Sequence, residues 1–575
     1  MKIKNVFSLP IILMGLVTVS CQETKTVSLN KSQIAVVDSL SNHWNKENRP
    51  GGAIAILKDG DVLYKNVLGY ADVSLSKKST EKTGFQLAQI SNSFVAYALL
   101  HLAAKTTFSL EDDLATYLPF ITKLNTDIKV KHLLQHSSGI HDFEVLKNIK
   151  GWSDEKPFGL NDAIELIQTQ QEVSFVPGTA FSPSRSNLLL ATVIIERVSK
   201  KSFEDYIEEN VFKALQMEDS YVLTSTNQTD SRMAKSYRIN EEDTIMTLKS
   251  RKETYASINI VSSISDMIKW EVHLQSPSME DKTIVDTFNS DVQLDNGKTY
   301  DVPEGRLTYG QKYIHDERGI PTAMSTGGID GFASAVFNFP TEKFTTITLS
   351  NNGEPYNGYI GMLSAHNIMP EAFTDPTTTD YTTLKTVALR QEYHQKFEGM
   401  YWDALGELTR EIKIENDTLR YIRSNGYSSA LIPLSENKFQ LKTDFDDEIY
   451  LEFKDENGDI SMHYFYGDAT PFFFEKYIPR EISEDELGDT YDGHYSCDAL
   501  GVTYVFEATE NQLIASNGET EPIQFKYIKN SVFQGNQWFM GSIEFKKDNK
   551  GDINGFYVKN DLIRNLWFSK TNGKN

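Results

Sequence analysis

The period of the apolar positions changes several times along the chain, and each change marks an element. GGAIAILKDGDVLY at 51–64 carries two apolar runs broken at Lys58-Asp59-Gly60. Asp-Gly reaches positive φ at little steric cost, so the segment predicts two strands joined by a tight hairpin. Residues 94–104 are apolar on nearly every side, the pattern of a helix buried all round. A second apolar helix is expected over Leu188–Val198, and a third starts near Ser202, with Asp205 three residues on as its capping partner. From 34 to 372 helical and strand periods alternate, which predicts a domain of mixed α+β class.

MPEAFTDPTTTDYTT at 369–383 is rich in Pro and Thr and reads as a connection, so a linker is placed at 373–390. The remainder is β-rich and duplicated. FEGMYWDALG at 397–406 and LEFKDENGDI at 451–460 return as YDGHYSCDALG at 491–501 and IEFKKDNKGDI at 543–553. The separations Gly399 to Gly458 and Gly493 to Gly551 nearly match, which identifies an internal repeat. Period-two runs split by Asn/Asp/Gly turns predict antiparallel meanders, and each copy is long enough to close as a small lipocalin-like barrel. The two barrels are assigned to 391–480 and 481–575.

The first twenty residues have a short basic start (Lys2, Lys4) and an apolar run from Val6 to Val19. That run is too short to span a bilayer comfortably and reads as an export signal, residues 1–20. TVSC at 18–21 resembles a bacterial lipobox, with Thr18 where Leu or Val is usual. The resemblance implies cleavage before Cys21, lipidation of that residue, a polar tether over 21–33 and a lipid-anchored place in the bacterial cell envelope, on the periplasmic side or at the surface; a plain secreted protein cleaved nearby is the alternative.

At 575 residues the chain exceeds one hydrophobic core, so two to four domains are expected. The formal net charge of -23 repels phosphate backbones, so nucleic acid is not expected as a partner. Cys21 and Cys497 are the only cysteines, which leaves the mature body one thiol and no internal disulfide. No ligand cluster for zinc is present in the sequence, and neither a metal nor a cofactor is expected.

FQLAQISNSFVAYALLHLAAKTTFSLEDDLATYLP at 85–119 resembles the nucleophile helix of the serine β-lactamase-related family. That family includes class C β-lactamases, D-Ala-D-Ala carboxypeptidases, penicillin-binding proteins, esterases and D-aminopeptidases. The similarity continues in order through VKHLLQHSSGIHDF at 130–143, the block at 175–217, INIVSSISDMIKW at 258–270, YGQKY at 309–313 and STGGIDGFASAVFNFP at 325–340. It implies an antiparallel sheet with flanking helices and a helical subdomain, followed here by the two small barrels.

The family's chemistry implies three clusters, and all three are altered. Its S-x-x-K pair, in which the lysine amine takes the serine proton, falls on Gln89 and Asn92, in a register anchored by Phe85, Phe94 and Leu110. An amide neither attacks a carbonyl usefully nor accepts a proton near neutral pH. The Y-x-N cluster falls on Pro183-Ser184-Arg185, losing the phenol and placing a cation where the amide stood. The K-T-G or H-x-G cluster becomes Ser325-Thr326-Gly327, which keeps the glycine and loses the cation.

Gln89, Asn92, Pro183, Arg185, Ser325, Thr326 and Gly327 are therefore expected around one cleft, with no catalytic residue assigned. Arg185 is a candidate for binding a carboxylate or phosphate through bidentate hydrogen bonds; pairing with one of the chain's own carboxylates is the equal alternative. Ser91 and Ser93 lack a lysine three residues on and read as polar residues of a helix start. His136, Ser137 and Ser138 read as the family's structural H-x-S-G loop. GGIDG at 327–331 lacks the setting of a nucleotide loop.

The expected function is a catalytically inactive, β-lactamase-related envelope lipoprotein that binds or scaffolds a peptide, a peptidoglycan fragment or a protein partner. Two alternatives stand beside it: an active peptidase or esterase with an unconventional nucleophile, and binding of a ligand or partner through the barrels.

Overall fold

The computed structural model describes residues 28–571 apart from 154–155, 225–229, 241, 249–252, 255–257, 300, 303–304, 355, 375–383, 388–394, 404, 444–448 and 467–470. Cys21 and the export-type segment lie outside the described residues. Helix α1, Lys31–Ser41, begins within the stretch read as tether, because Asn30 and Gln33 form a reciprocal capping box.

An eight-stranded sheet organises the first domain. Its strands are β1 (Gly52–Lys58), β2 (Asp61–Leu68), β3 (Asp301–Val302), β4 (Gly305–Leu307), β5 (Tyr313–Glu317), β6 (Ile320–Ile329), β7 (Phe332–Phe339) and β8 (Phe344–Ser350), ordered β3-β4-β5-β6-β7-β8-β1-β2. The β1–β2 turn has Asp59 at φ 53° and Gly60 at φ 86°, the positive values its Asp-Gly pair predicted. Alternate residues of β1 serve two separate cores. Ala53, Ala55 and Leu57 pack with the helical subdomain, while Ile54 and Ile56 face α1 and helix α6 (Tyr356–Ile368). Covered on both faces, β1 is apolar from Gly52 to Leu57 rather than alternating.

The apolar run expected at 94–104 is helix α2, Ser91–Lys105. Phe94 stacks on Trp270 with ring centroids 4.3 Å apart, joining α2 to helix α5, Ile264–Gln275. The run at 188–198 lies in helix α4, Arg185–Ser199, buried through its centre. The Ser202 hydroxyl accepts from the Asp205 N–H and starts the short helix Phe203–Ile207.

Both repeats close as eight-stranded antiparallel barrels, one from Gly399–Asp403 to Phe472–Tyr477, the other from Gly493–Cys497 to Leu566–Thr571. The duplication extends to single hydrogen bonds: Tyr401 OH donates to Phe397 O at 2.8 Å, and Tyr495 OH to Tyr491 O at 2.7 Å. Tyr401, Phe439, Phe453 and Phe474 fill the first interior, and Tyr495, Phe506, Phe545 and Phe556 the second. Eight strands leave room for little more than these side chains.

Candidate functional site

Three segments distant in sequence meet beside the open end of β6. Strand β5 pairs with β6 only as far as Tyr313 and Met324, so residues 325–329 have no strand on that side. The turn before α2 lies there instead. Ala88 takes left-handed φ of 50°, disfavoured for an L-residue, and turns the following Gln89 outward. The approach is so close that a Cβ on Gly327 would stand 2.1 Å from Leu87 O and 3.2 Å from Gln89 N. Glycine here is a steric requirement.

Gln89, Asn92, Pro183, Arg185, Ser325 and Thr326 line one cavity of about 290 Å³. Gly327, expected in the same lining, is not part of it: its close approach to Leu87 and Gln89 places it against the turn before α2. The Gly328 N–H donates to Gln89 Oε1 at 2.9 Å, so the Gln89 side chain is held against β6.

Arg185 is the first residue of α4, behind the capping Ser184, whose hydroxyl accepts from Ser186 N. Its backbone N–H donates to Asp142 Oδ2 at 2.6 Å and its Nη1 to Oδ1 at 3.2 Å. Asp142 is fully buried and also caps helix α3 (Phe143–Ile149), accepting from Glu144 N and Val145 N. Arg185 thus faces the cavity while its charge answers a buried carboxylate.

The histidine and serine candidates have structural partners. His136 lines the cavity, and burial pushes its pKa down to about 4. Gln311 donates its amide to Leu134 O and Tyr309 O, so its Oε1 is the acceptor facing His136 Nε2 at 2.9 Å. The ring therefore carries its proton on Nε2, and Nδ1 accepts from Asn187 Nδ2 at 3.1 Å. Asn187 Oδ1 in turn accepts from Ser138 Oγ at 2.5 Å. Ser91 Oγ accepts from Ile260 N and Ser93 Oγ donates to Gly310 O, both buried; Ser137 Oγ donates to Gln135 Oε1.

The second barrel supplies a wall of the cavity, through residues that none of the sequence motifs single out. Its hairpin at 559–565 places Leu562 in the lining. Around it, Ser182 Oγ donates to Asp561 O at 2.6 Å, Arg564 Nη2 to Phe181 O at 3.0 Å and Asn565 Nδ2 to Val173 O at 2.7 Å, while His141 Nε2 meets Asn565 Oδ1 at 2.9 Å. The Arg185 guanidinium also lies over the Trp538 ring, 6.0 Å from its centroid. The available signal was an asymmetry between the copies: NDLIRN at 560–565 stands where the first copy has the shorter GDATP at 467–471.

Among curated proteins, the chain is 23% identical over 423 residues to Penicillin-binding protein 4* of Bacillus subtilis, covering 71% of this chain and 91% of that protein. It is 25% identical over 306 residues to a D-aminopeptidase of Brucella anthropi, covering 52% and 56% respectively. Among solved structures, the octameric penicillin-binding protein homologue from Pyrococcus abyssi matches with a TM-score of 0.52 at 22% identity, covering 77% of this chain and 100% of that one; this likeness speaks to the fold alone. The sequence model of the Beta-lactamase family matches residues 36–362, more than half of the chain. With its sheet, its helical subdomain and its cleft in that family's order, the chain belongs to the β-lactamase family.

Proposed function

We propose that this chain is a non-hydrolysing member of the family, an envelope lipoprotein anchored through Cys21, whose cleft binds a ligand without turning it over. The observation that carries the reading is the hydrogen bond from Gly328 N–H to Gln89 Oε1. A backbone N–H on the strand beside a nucleophile is the kind of donor that stabilises a developing oxyanion. Here the donor is taken by the amide of Gln89, the residue that the family's S-x-x-K pattern aligns with its nucleophile. No lysine or carboxylate is found among the described residues lining the cavity, and the histidine there is bonded through both ring nitrogens. Ser325 Oγ consequently has no lysine, carboxylate or open histidine nitrogen in the lining to accept its proton.

The cleft is favoured over the barrels as the binding place because aromatic side chains fill both barrel interiors. A peptide, a peptidoglycan fragment or a loop of an envelope protein are the ligands this reading admits. Intact-mass spectrometry after exposure to a fluorophosphonate and to a penicillin tests it. No adduct is expected with either; a stoichiometric adduct on any serine would overturn the reading in favour of an active hydrolase.

A further inference from the structure

Resting on the cleft's being a binding site, we infer that its ligand is uncharged and is recognised through a secondary amide carrying a small alkyl group, as in an acetamido unit or a capped peptide bond. The inference starts from the groups still unused inside the cavity. Gln89 Oε1 is engaged with Gly328, but its Nε2 donor has no protein partner among the described residues. The same holds for the Asn92 amide and for the hydroxyls of Ser325 and Thr326. These four offer neutral donors and acceptors together, the complement of an amide N–H and C=O.

An anion finds no equivalent set. Arg185 is the only cation lining the cavity among the described residues, and it already balances the fully buried Asp142. Drawing its guanidinium toward a bound carboxylate would break the ion pair with the fully buried Asp142 and leave that charge to its three backbone N–H donors alone. His136 is neutral and bonded on both nitrogens. A cationic ligand fares no better, since no carboxylate lines the cavity among the described residues. Besides Tyr313 and Gln311, whose amide is already engaged by His136 and Leu134, the rest of the wall is apolar, with Pro183, Leu188, Ile258, Leu307, Met324 and Leu562 suited to methyl and methylene groups. At about 290 Å³ the space is at the small end for ligand pockets, which admits one acylated unit rather than a long chain.

The test uses the full-length chain in detergent and two matched pairs of probes, titrated by calorimetry and ligand-observed NMR. The peptide pair is N-acetyl-D-alaninamide against N-acetyl-D-alanine; the sugar pair is N-acetylglucosamine against N-acetylmuramic acid. The uncharged member is expected to bind at least about tenfold more tightly in whichever pair binds, and that pair identifies the source of the amide. Asn92→Ala and the exposed Thr326→Ala should each weaken the preferred probe about five- to tenfold, with melting temperature checked alongside. Equal or tighter binding of the charged members, or no binding of any probe at about 10 mM, overturns the inference. Release of ammonia from the alaninamide would instead overturn the non-hydrolysing reading and leave the preference for uncharged ligands standing.

Discussion

Glu407 gives the structure a pH dependence that can be measured directly. It sits on the seam between the barrels in a left-handed backbone conformation, φ 56°. Its carbonyl accepts from Gln534 Nε2 at 2.6 Å, and its carboxyl presses on Gly541 of the second barrel. Oε1 is buried without a hydrogen-bond partner, and no cation is ion-paired with Glu407 among the described residues. Burial, then the charges of Asp561 in the cleft hairpin and Asp403 in its own loop, raise its pKa from 4.5 to about 8.

The folded chain therefore keeps this proton where the unfolded chain has lost it. Stability is full below about pH 4.5, falls as pH rises and levels off above about 8. The shift sets an upper bound of about 5 kcal/mol, at about 1.4 kcal/mol per pH unit; residual solvent contact of the side chain reduces the expected loss to about 2–3 kcal/mol. Urea unfolding from pH 5 to 9, followed through Trp402, Trp538 and Trp567, should show the first transition moving to lower urea as pH rises. Glu407→Gln should abolish most of that movement and leave the variant the more stable protein at pH 9. Parallel profiles for the two proteins would refute the argument.

Gly327→Ala should destabilise strongly and lower the melting temperature by several degrees, because its methyl would meet Leu87 O at 2.1 Å and neither backbone has room to retreat. Asp142→Ala removes a helix cap and strands the Arg185 contacts, so a loss of about 3–5 kcal/mol is expected by denaturant titration; a loss below about 1 kcal/mol would show that Arg185 does not depend on it. Gln89→Ser combined with Asn92→Lys should fold with an unchanged melting profile yet hydrolyse nitrocefin poorly, since Pro183 and Ser325 still withhold the relay and the cation. Cys21→Ala should move the protein from the membrane to the soluble fraction on fractionation, since the apolar segment alone is a poor span.

The local elements were legible because local periodicity records which face is buried. The Asp59-Gly60 hairpin, the all-round apolar α2 and α4 and the Ser202 cap each follow from contacts within a few residues or from uniform burial. The repeat was legible for the same reason: two copies of one alternation must solve one packing problem, and both close with eight strands. The identities at 89, 92, 183, 185 and 325 carried by themselves the expectation that a serine–lysine chemistry lacks its groups. What those residues do instead depended on contacts that leave no local period. Asp142 neutralising Arg185, Gly328 holding Gln89 and Leu562 walling the cavity each join segments 43, 239 or hundreds of residues apart. Such contacts are decided when separately ordered units dock. The sequence of either partner then records only a polar or apolar residue at a turn, and the electrostatic character of the cleft appears only once the two are in place.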